Sequence, residues 1–350
     1  MSVSVHMELQ IGVIGIGGLG HLQTKTYAGM EATTVIGAAD VSEEARRTFE
    51  AEFDVPAYEH YRELLHEHRD ELDAIMIVTP HTLHYEQAKA CIKRNLHVLL
   101  EKPMVTDIAH AVDLMESAAE QGVVLQIGYQ RHFHPAFEEI RRIVRSGRIG
   151  EVHTVNCYLG QNWIDLHRDT WRTDLSLSGG GQLYDSGSHL LDALLWTTGT
   201  VPTSVTAQMD YADPGVDINS ALTIRLDRDG DSTLASVGIS GDGVDATPSE
   251  GYFYWGTEGY LSYIDNRIVV AEQDAMTYRT EITGGTDFQS LNRRKLENFI
   301  GSIEGTVDPA VPGDVGLQVT ALTEAAYQAA DNERSVAVQP LIEDAYANRT

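Results

Sequence analysis

Three groups of residues in this chain have the types and spacing that chemistry requires. One is a lysine fixed before a proline, Lys102-Pro103, at the end of the apolar run His97-Val98-Leu99-Leu100. The second is a carboxylate and an imidazole four residues apart, Asp185 and His189, shortly after Gly179-Gly180-Gly181. On a helix that spacing stacks both side chains on one face, so Asp185 would orient His189 and stabilise its protonated form. An imidazole titrating near neutrality suits removal of a hydroxyl proton, and a lysine beside it suits an oxygen gathering negative charge. The third group is the glycine run Gly15-Ile16-Gly17-Gly18-Leu19-Gly20. Lysine is scarce here, only Lys25, Lys89, Lys93, Lys102 and Lys295, so Lys102 is no interchangeable surface charge. Pro103 also keeps Lys102 out of the helical region and favours a cis bond more than other residues do.

The glycine run follows the short apolar segment Ile11 to Ile14 and precedes a helical segment from His21 to Met30. In this strand–turn–helix order Gly15 makes the tight turn, Gly17 admits a pyrophosphate to the backbone, and Gly20 lets helix and strand pack closely. A second apolar strand, Val35 to Ala39, ends at Asp40, twenty residues after Gly20, where a carboxylate would hold adenosine ribose hydroxyls. Such a carboxylate repels a 2'-phosphate and favours NAD, while Arg46 and Arg47 leave NADP possible.

The elements that position these groups alternate. Helices at 61–68, 84–94 and 108–121 separate apolar strands at 74–78, 97–100 and 123–127, the pattern of a parallel sheet covered on both faces. Ligands bind such sheets at the carboxyl ends of the strands. Thr79-Pro80-His81, Glu101-Lys102-Pro103 and Gly128-Tyr129-Gln130-Arg131 all fall at such ends. After a helix at 135–145 the texture changes to successive strands at 152–159, 204–209, 221–226, 233–240, 252–255, 260–264 and 268–271, closed by helices at 291–303 and 317–330. The expectation is an α/β doubly wound Rossmann domain over residues 8–128. A substrate-binding α+β domain with a large, mostly antiparallel open sheet follows over residues 129–340.

Composition narrows the class. Fifty-two acidic residues against 25 basic ones give a formal net charge of −27, which disfavours nucleic acid and anionic membranes as partners. The acids are dispersed, as expected of a solvated coat that high salt would screen, and a salt-adapted source follows as an expectation. Cys91 and Cys157 fit no redox or metal spacing, and no run reaches the length of a membrane span or reads as an export signal, so a cytoplasmic location is expected. His81 with His84, and His132 with His134, lack zinc-site context, so no metal is expected.

Taken together, the glycine run, Thr79-Pro80 with His84, Glu101-Lys102-Pro103, Arg131 with Pro135, and Gly179-Gly180-Gly181 with Asp185 and His189 resemble the Gfo/Idh/MocA oxidoreductases over nearly the whole chain. The resemblance implies Lys102, Asp185 and His189 as the catalytic constellation and a second-domain sheet that often forms an oligomer interface. It also implies a cofactor site including Gly15, Gly17, Gly18, Leu19, Gly20, Asp40, Thr79, Pro80, His81, His84, Glu101 and Lys102. His81 stands where the family often has Asn. The expected reaction is hydride transfer between NAD and a secondary alcohol of a sugar, sugar derivative or cyclitol. His189 would be the base, Asp185 would hold its tautomer, and Lys102 would stabilise the reacting oxygen. Gln130, Arg131, Trp163, Trp171, Arg172 and Tyr184 are candidates for the substrate side, where sugar hydroxyls need polar partners and sugar faces pack on aromatic rings. An NAD-dependent glycosidase and a non-catalytic NAD-binding sensor are the alternatives. A dimer or tetramer is expected, because a sheet with one uncovered face leaves a large surface for association.

Overall fold

The computed structural model describes residues 8–213, 215–244, 249–273 and 277–348. In the first domain β1 (Leu9–Ile14), α1 (Gly18–Ala28), β2 (Thr33–Ala39), α2 (Glu43–Phe53), β3 (Ala57–Tyr58), α3 (Tyr61–Glu67), β4 (Ala74–Ile77), α4 (His84–Ile92), β5 (His97–Leu100), α5 (Ile108–Gln121) and β6 (Leu125–Ile127) follow in order. The strands form a parallel sheet ordered β3-β2-β1-β4-β5-β6. Strand order reverses between β1 and β4, which places the glycine run and the Thr79 loop at the switch point where such sheets bind ligands. Apolar residues fill both faces of the strands, as a sheet sandwiched between helices requires. On one face Ile11, Val13, Val35, Met76 and Leu99 pack with Tyr27 and Phe49; on the other Ile75, Ile77, Val98 and Leu100 pack with Leu64, Ala88 and Val112.

The second part opens with α6 (Pro135–Arg145), β7 (Val152–Gly160), α7 (Trp163–His167), α8 (Leu175–Ser178) and α9 (Ser188–Thr198). Then come β8 (Val201–Ala212), β9 (Val216–Arg228), β10 (Asp231–Ser240), β11 (Glu250–Gly256), β12 (Gly259–Ile264), β13 (Arg267–Glu272) and β14 (Tyr278–Glu281). They join β15 (Val336–Ala337) in a nine-stranded sheet ordered β14-β13-β12-β11-β7-β10-β9-β8-β15. Pairing is antiparallel except between β7 and β10. Alternation decides its faces: Val155, Cys157, Leu222, Ile224, Val237, Tyr252 and Tyr254 are buried in one core with residues of α6 and α9, while Asn156, Thr206, Gln208, Thr223 and Ser236 are exposed.

The closing helices are α10 (Phe288–Ile303), α11 (Gly313–Asp331) and α12 (Gln339–Ala347). Helix α10 returns to the first domain, where Leu296, Phe299 and Ile300 share a core with β1 and β2. It also delivers Lys295 beneath the end of β5. Among the described residues no helix is long and apolar enough to cross a membrane, and no group of three metal-ligating side chains occurs.

Candidate active site

Lys102 follows β5, and its peptide bond to Pro103 is cis. Its ammonium leaves the first domain and reaches Asp185, donating to the carboxylate Oδ1 at 2.7 Å and to the main-chain oxygen at 2.9 Å. The other carboxylate oxygen, Oδ2, accepts from the Trp163 indole at 2.8 Å and from Arg172 Nε at 3.0 Å. Burial alone would push the Asp185 pKa up, but Lys102 and Arg172 outweigh it and hold the group well below the usual carboxylate range. His81 Nε2 and His167 Nε2 each lie 4.0 Å from this carboxylate. Trp171 meets His81 edge-on, with ring centroids 4.8 Å apart, and carries the Arg172 guanidinium over its own face at 4.4 Å.

The expected pairing of Asp185 with His189 does not form. Residues Leu183–Gly187 are a π turn, in which Gly187 N–H reaches back five residues to the Gln182 carbonyl at 2.8 Å, before α9 begins at Ser188. The wider turn breaks the register that would stack a carboxylate over an imidazole four residues on. Asp185 therefore holds Lys102 instead of His189. The Nδ1 of His189 is buried and has no hydrogen-bond partner among the described residues, and the ring meets Tyr129 edge-on at 5.8 Å. Burial, then Lys102 and Arg131, push its pKa well below the ordinary histidine value, so the imidazole is neutral at physiological pH.

The glycine loop fits a dinucleotide. Gly15 has φ +87°, and a Cβ there would lie 2.6 Å from the Val78 carbonyl oxygen, while one on Gly20 would be driven into the Gly15 carbonyl. A Cβ on Gly17 or Gly18 would meet nothing, both residues are exposed, and no side chain caps the N-terminus of α1, so the start of this helix is open to a pyrophosphate. Asp40 is fixed at the end of β2 by Ile16 N–H at 2.9 Å and Ser42 N–H at 2.8 Å, with lone pairs left for ribose hydroxyls. Arg46 donates through Nη1 to the Asp40 and Val41 carbonyls, and Arg47 pairs with Glu43 on the surface.

Residues 9–129 match the family model described as oxidoreductase family, NAD-binding Rossmann fold, and residues 137–261 match the GFO/IDH/MocA C-terminal domain. The chain belongs to the Gfo/Idh/MocA oxidoreductase family. It is 27% identical over 338 residues to a D-xylose 1-dehydrogenase (NADP(+)) of Haloferax volcanii, covering 94% of this chain and 99% of the other. In fold it resembles an oxidoreductase domain protein from Kribbella flavida, with TM-score 0.86, 20% identity, and coverage of 95% and 99% of the two chains. It also resembles levoglucosan dehydrogenase crystallised with NADH and L-sorbose, with TM-score 0.84, 19% identity and the same coverage.

Several expected site residues serve the frame around this constellation. Glu101 turns inward, not toward a cofactor: its Oε1 accepts from Lys295 at 2.5 Å and Gln23 at 2.7 Å. His84 bridges the Pro103 carbonyl at 2.8 Å and the Thr79 carbonyl at 2.9 Å, joining the loops after β4 and β5. Thr79 donates to Gln87 at 2.6 Å, Pro80 caps the short turn His81–Leu83, and His81 Nδ1 approaches the Ser178 carbonyl at 3.0 Å. Arg131 is committed to a bidentate pair with Glu250 at 3.0 and 2.5 Å, which removes it from the substrate candidates. Tyr184 is also removed, being buried, stacked on Tyr327 and bonded to the Thr106 carbonyl at 3.4 Å. Gln130 is half-buried in the turn Gln130–Phe133.

Asp217, Gln23, Lys295 and His167 carry parts of the frame that the sequence did not single out. The buried Asp217 accepts from Gly181 N–H at 2.6 Å, Leu183 N–H at 2.8 Å and the Tyr327 hydroxyl, fixing the turn that presents Asp185. A Cβ on Gly181 would strike the Asp217 backbone, so this glycine serves close packing on β9. In sequence Asp217 is one acid among many; only its strand partner reveals it.

Proposed function

We propose that Lys102, Asp185 and His189 carry the family's hydride-transfer chemistry on a secondary alcohol of a sugar, sugar derivative or cyclitol, with NAD preferred and NADP possible. The carrying observation is the Lys102 ammonium, locked on Asp185 beside an open dinucleotide loop, together with an imidazole that burial keeps neutral. His189 takes the hydroxyl proton as the carbinol C–H bond gives up its electron pair. The glycine loop and Asp40 would hold NAD, which would supply the hydride acceptor for that pair. Lys102 donates to the reacting oxygen and stabilises its negative charge; Asp185 positions Lys102, and Trp163 and Arg172 position Asp185. Lys102 already donates to the Asp185 carboxylate and main-chain oxygen, which leaves the base role to the neutral His189. Trp171, Arg172 and Gln130 are the substrate-side groups in this reading.

The test is a polyol and sugar panel with NAD and NADP at high salt. Substrate-dependent NADH is expected. Glycoside cleavage without net NADH would replace this reading with a glycosidase, and cofactor binding without either would replace it with a sensor.

We further infer that a second copy covers the exposed sheet face, since Phe253, Trp255 and Tyr260 lie half-buried or exposed on it. Light scattering would reveal a dimer or tetramer, and a monomer would refute this. The acidic coat supports a salt-adapted, cytoplasmic protein, and the free, buried thiols of Cys91 and Cys157 accord with that location.

A further inference from the structure

The charges around Asp185 do not balance, although the chain as a whole is strongly acidic. Two basic side chains, Lys102 and Arg172, converge on one carboxylate. His81 and His167 also approach it, at 4.0 Å each, and supply no negative charge. Among the described residues no second carboxylate lies within salt-bridge distance of Lys102 or Arg172. If Lys102 balances Asp185, the guanidinium of Arg172 is the surplus charge.

Its geometry is that of a docking group. The Nε of Arg172 is spent on Asp185, and its plane is steadied over Trp171 at 4.4 Å. The two terminal nitrogens have no partner among the described residues, and the side chain is 28% exposed. A planar fork held at one end and free at the other matches a carboxylate or phosphate, whose two oxygens take parallel hydrogen bonds. A neutral sugar would leave this half-buried cation uncompensated. Because Lys102 and Arg172 grip opposite oxygens of the same carboxylate, the fork stands next to the donor for the reacting oxygen, so the bound anion sits near the reacting carbon.

We propose that the substrate is an anionic sugar or cyclitol, bearing a carboxylate or phosphate that docks on Arg172 beside the hydroxyl to be oxidised. This rests on the dehydrogenase reading above and adds the substrate's charge to it. The coat of net charge −27 repels such a molecule at long range, but that repulsion is screened beyond about 8–10 Å at physiological salt. The turnover of an anionic substrate at limiting concentration should therefore rise with added KCl.

The experiment compares kcat/KM, read as NADH formation, for neutral polyols and aldoses, their aldonate and uronate counterparts, and their phosphate esters. At least one anionic member should exceed its neutral counterpart tenfold or more, and the carboxylate and phosphate arms show which anion the fork takes. Oxidation of neutral sugars as well as or better than every anionic one would overturn the proposal while leaving the dehydrogenase reading intact. Oxidation of none, with NAD bound as seen by fluorescence titration, would sink both. Arg172→Gln should collapse the anionic-to-neutral ratio at least tenfold, and Arg172→Lys should restore part of it. A ratio unchanged in Arg172→Gln that still binds NAD would overturn the proposal. If Arg172→Gln fails to fold, the wild-type panel alone decides.

Discussion

A histidine that works as a base must be neutral before the reaction begins. Burial, Lys102 and Arg131 hold the His189 pKa well below 6.5, so alcohol oxidation should persist at pH values where an ordinary histidine is protonated. The acid limb of kcat/KM is therefore expected below 6.5, with activity lost as pH falls through the lowered value; a limb at or above 6.5 would count against His189. His189→Ala should reduce kcat about 10²- to 10⁴-fold with NAD affinity retained, and Lys102→Ala should likewise cripple turnover without releasing NAD, both read by steady-state kinetics beside fluorescence titration. Full activity in either variant removes that residue from the mechanism. The sequence made the candidates legible: a rare lysine before a proline at a strand end, and an acid and a histidine after three glycines. Their wiring was not legible. It depends on a π turn fixed by Asp217 from a distant strand, and no spacing along residues 183–189 announces that turn.

At the scale of elements, the glycine loop and the end of β5 answer different demands. Gly17 faces open space, so Gly17→Ala should leave the cofactor-free protein's melting temperature nearly unchanged while weakening NAD binding, whereas Gly20→Ala should lower both. Equal behaviour of the two variants in calorimetry would refute the assignment of Gly17 to the pyrophosphate. Beneath Lys102, Glu101 and Lys295 form a buried pair that ties α10 to β5. Lys295→Ala strands the Glu101 carboxylate and should cost about 3–5 kcal/mol in denaturant unfolding, with much of the loss recovered in Glu101→Gln/Lys295→Met. A loss under 1 kcal/mol would mean the pair is unimportant. The parallel domain was legible because its strands are continuous apolar runs between helices: residues 97–100 and 108–121 form the elements their patterns imply. The two-residue strands β3 and β15 and the exposed β14 are too short or too polar to leave a period, and they exist through pairing with β2, β8 and β13. The return of α10 to the first domain was hidden for another reason: a helix pattern shows which face is apolar, not which sheet will cover it.

For the whole molecule the decisive quantity is charge. Fifty-two acids repel one another across the surface, and salt screens exposed charges far more than the buried pairs of Lys102 with Asp185 or Lys295 with Glu101. Melting temperature at pH 7 should therefore rise with KCl, and a protein most stable in dilute buffer would contradict salt adaptation. Acid acts through different groups. His81, His84, His97, His134, His167 and His189 all have pKa values lowered by burial first, His134 to about 4. Between these values and 6.5 the unfolded chain binds more protons than the folded one, so stability falls as pH falls through that window and is fully regained above 6.5. Protonating exposed histidines opposes this in dilute buffer by reducing the net negative charge. In molar KCl that opposition is screened, which isolates the buried groups. Scanning calorimetry in molar KCl should thus show the melting temperature dropping from pH 7 to pH 5, before most carboxylates titrate. A flat or rising profile would show that the buried imidazoles contribute nothing to the pH dependence of folding.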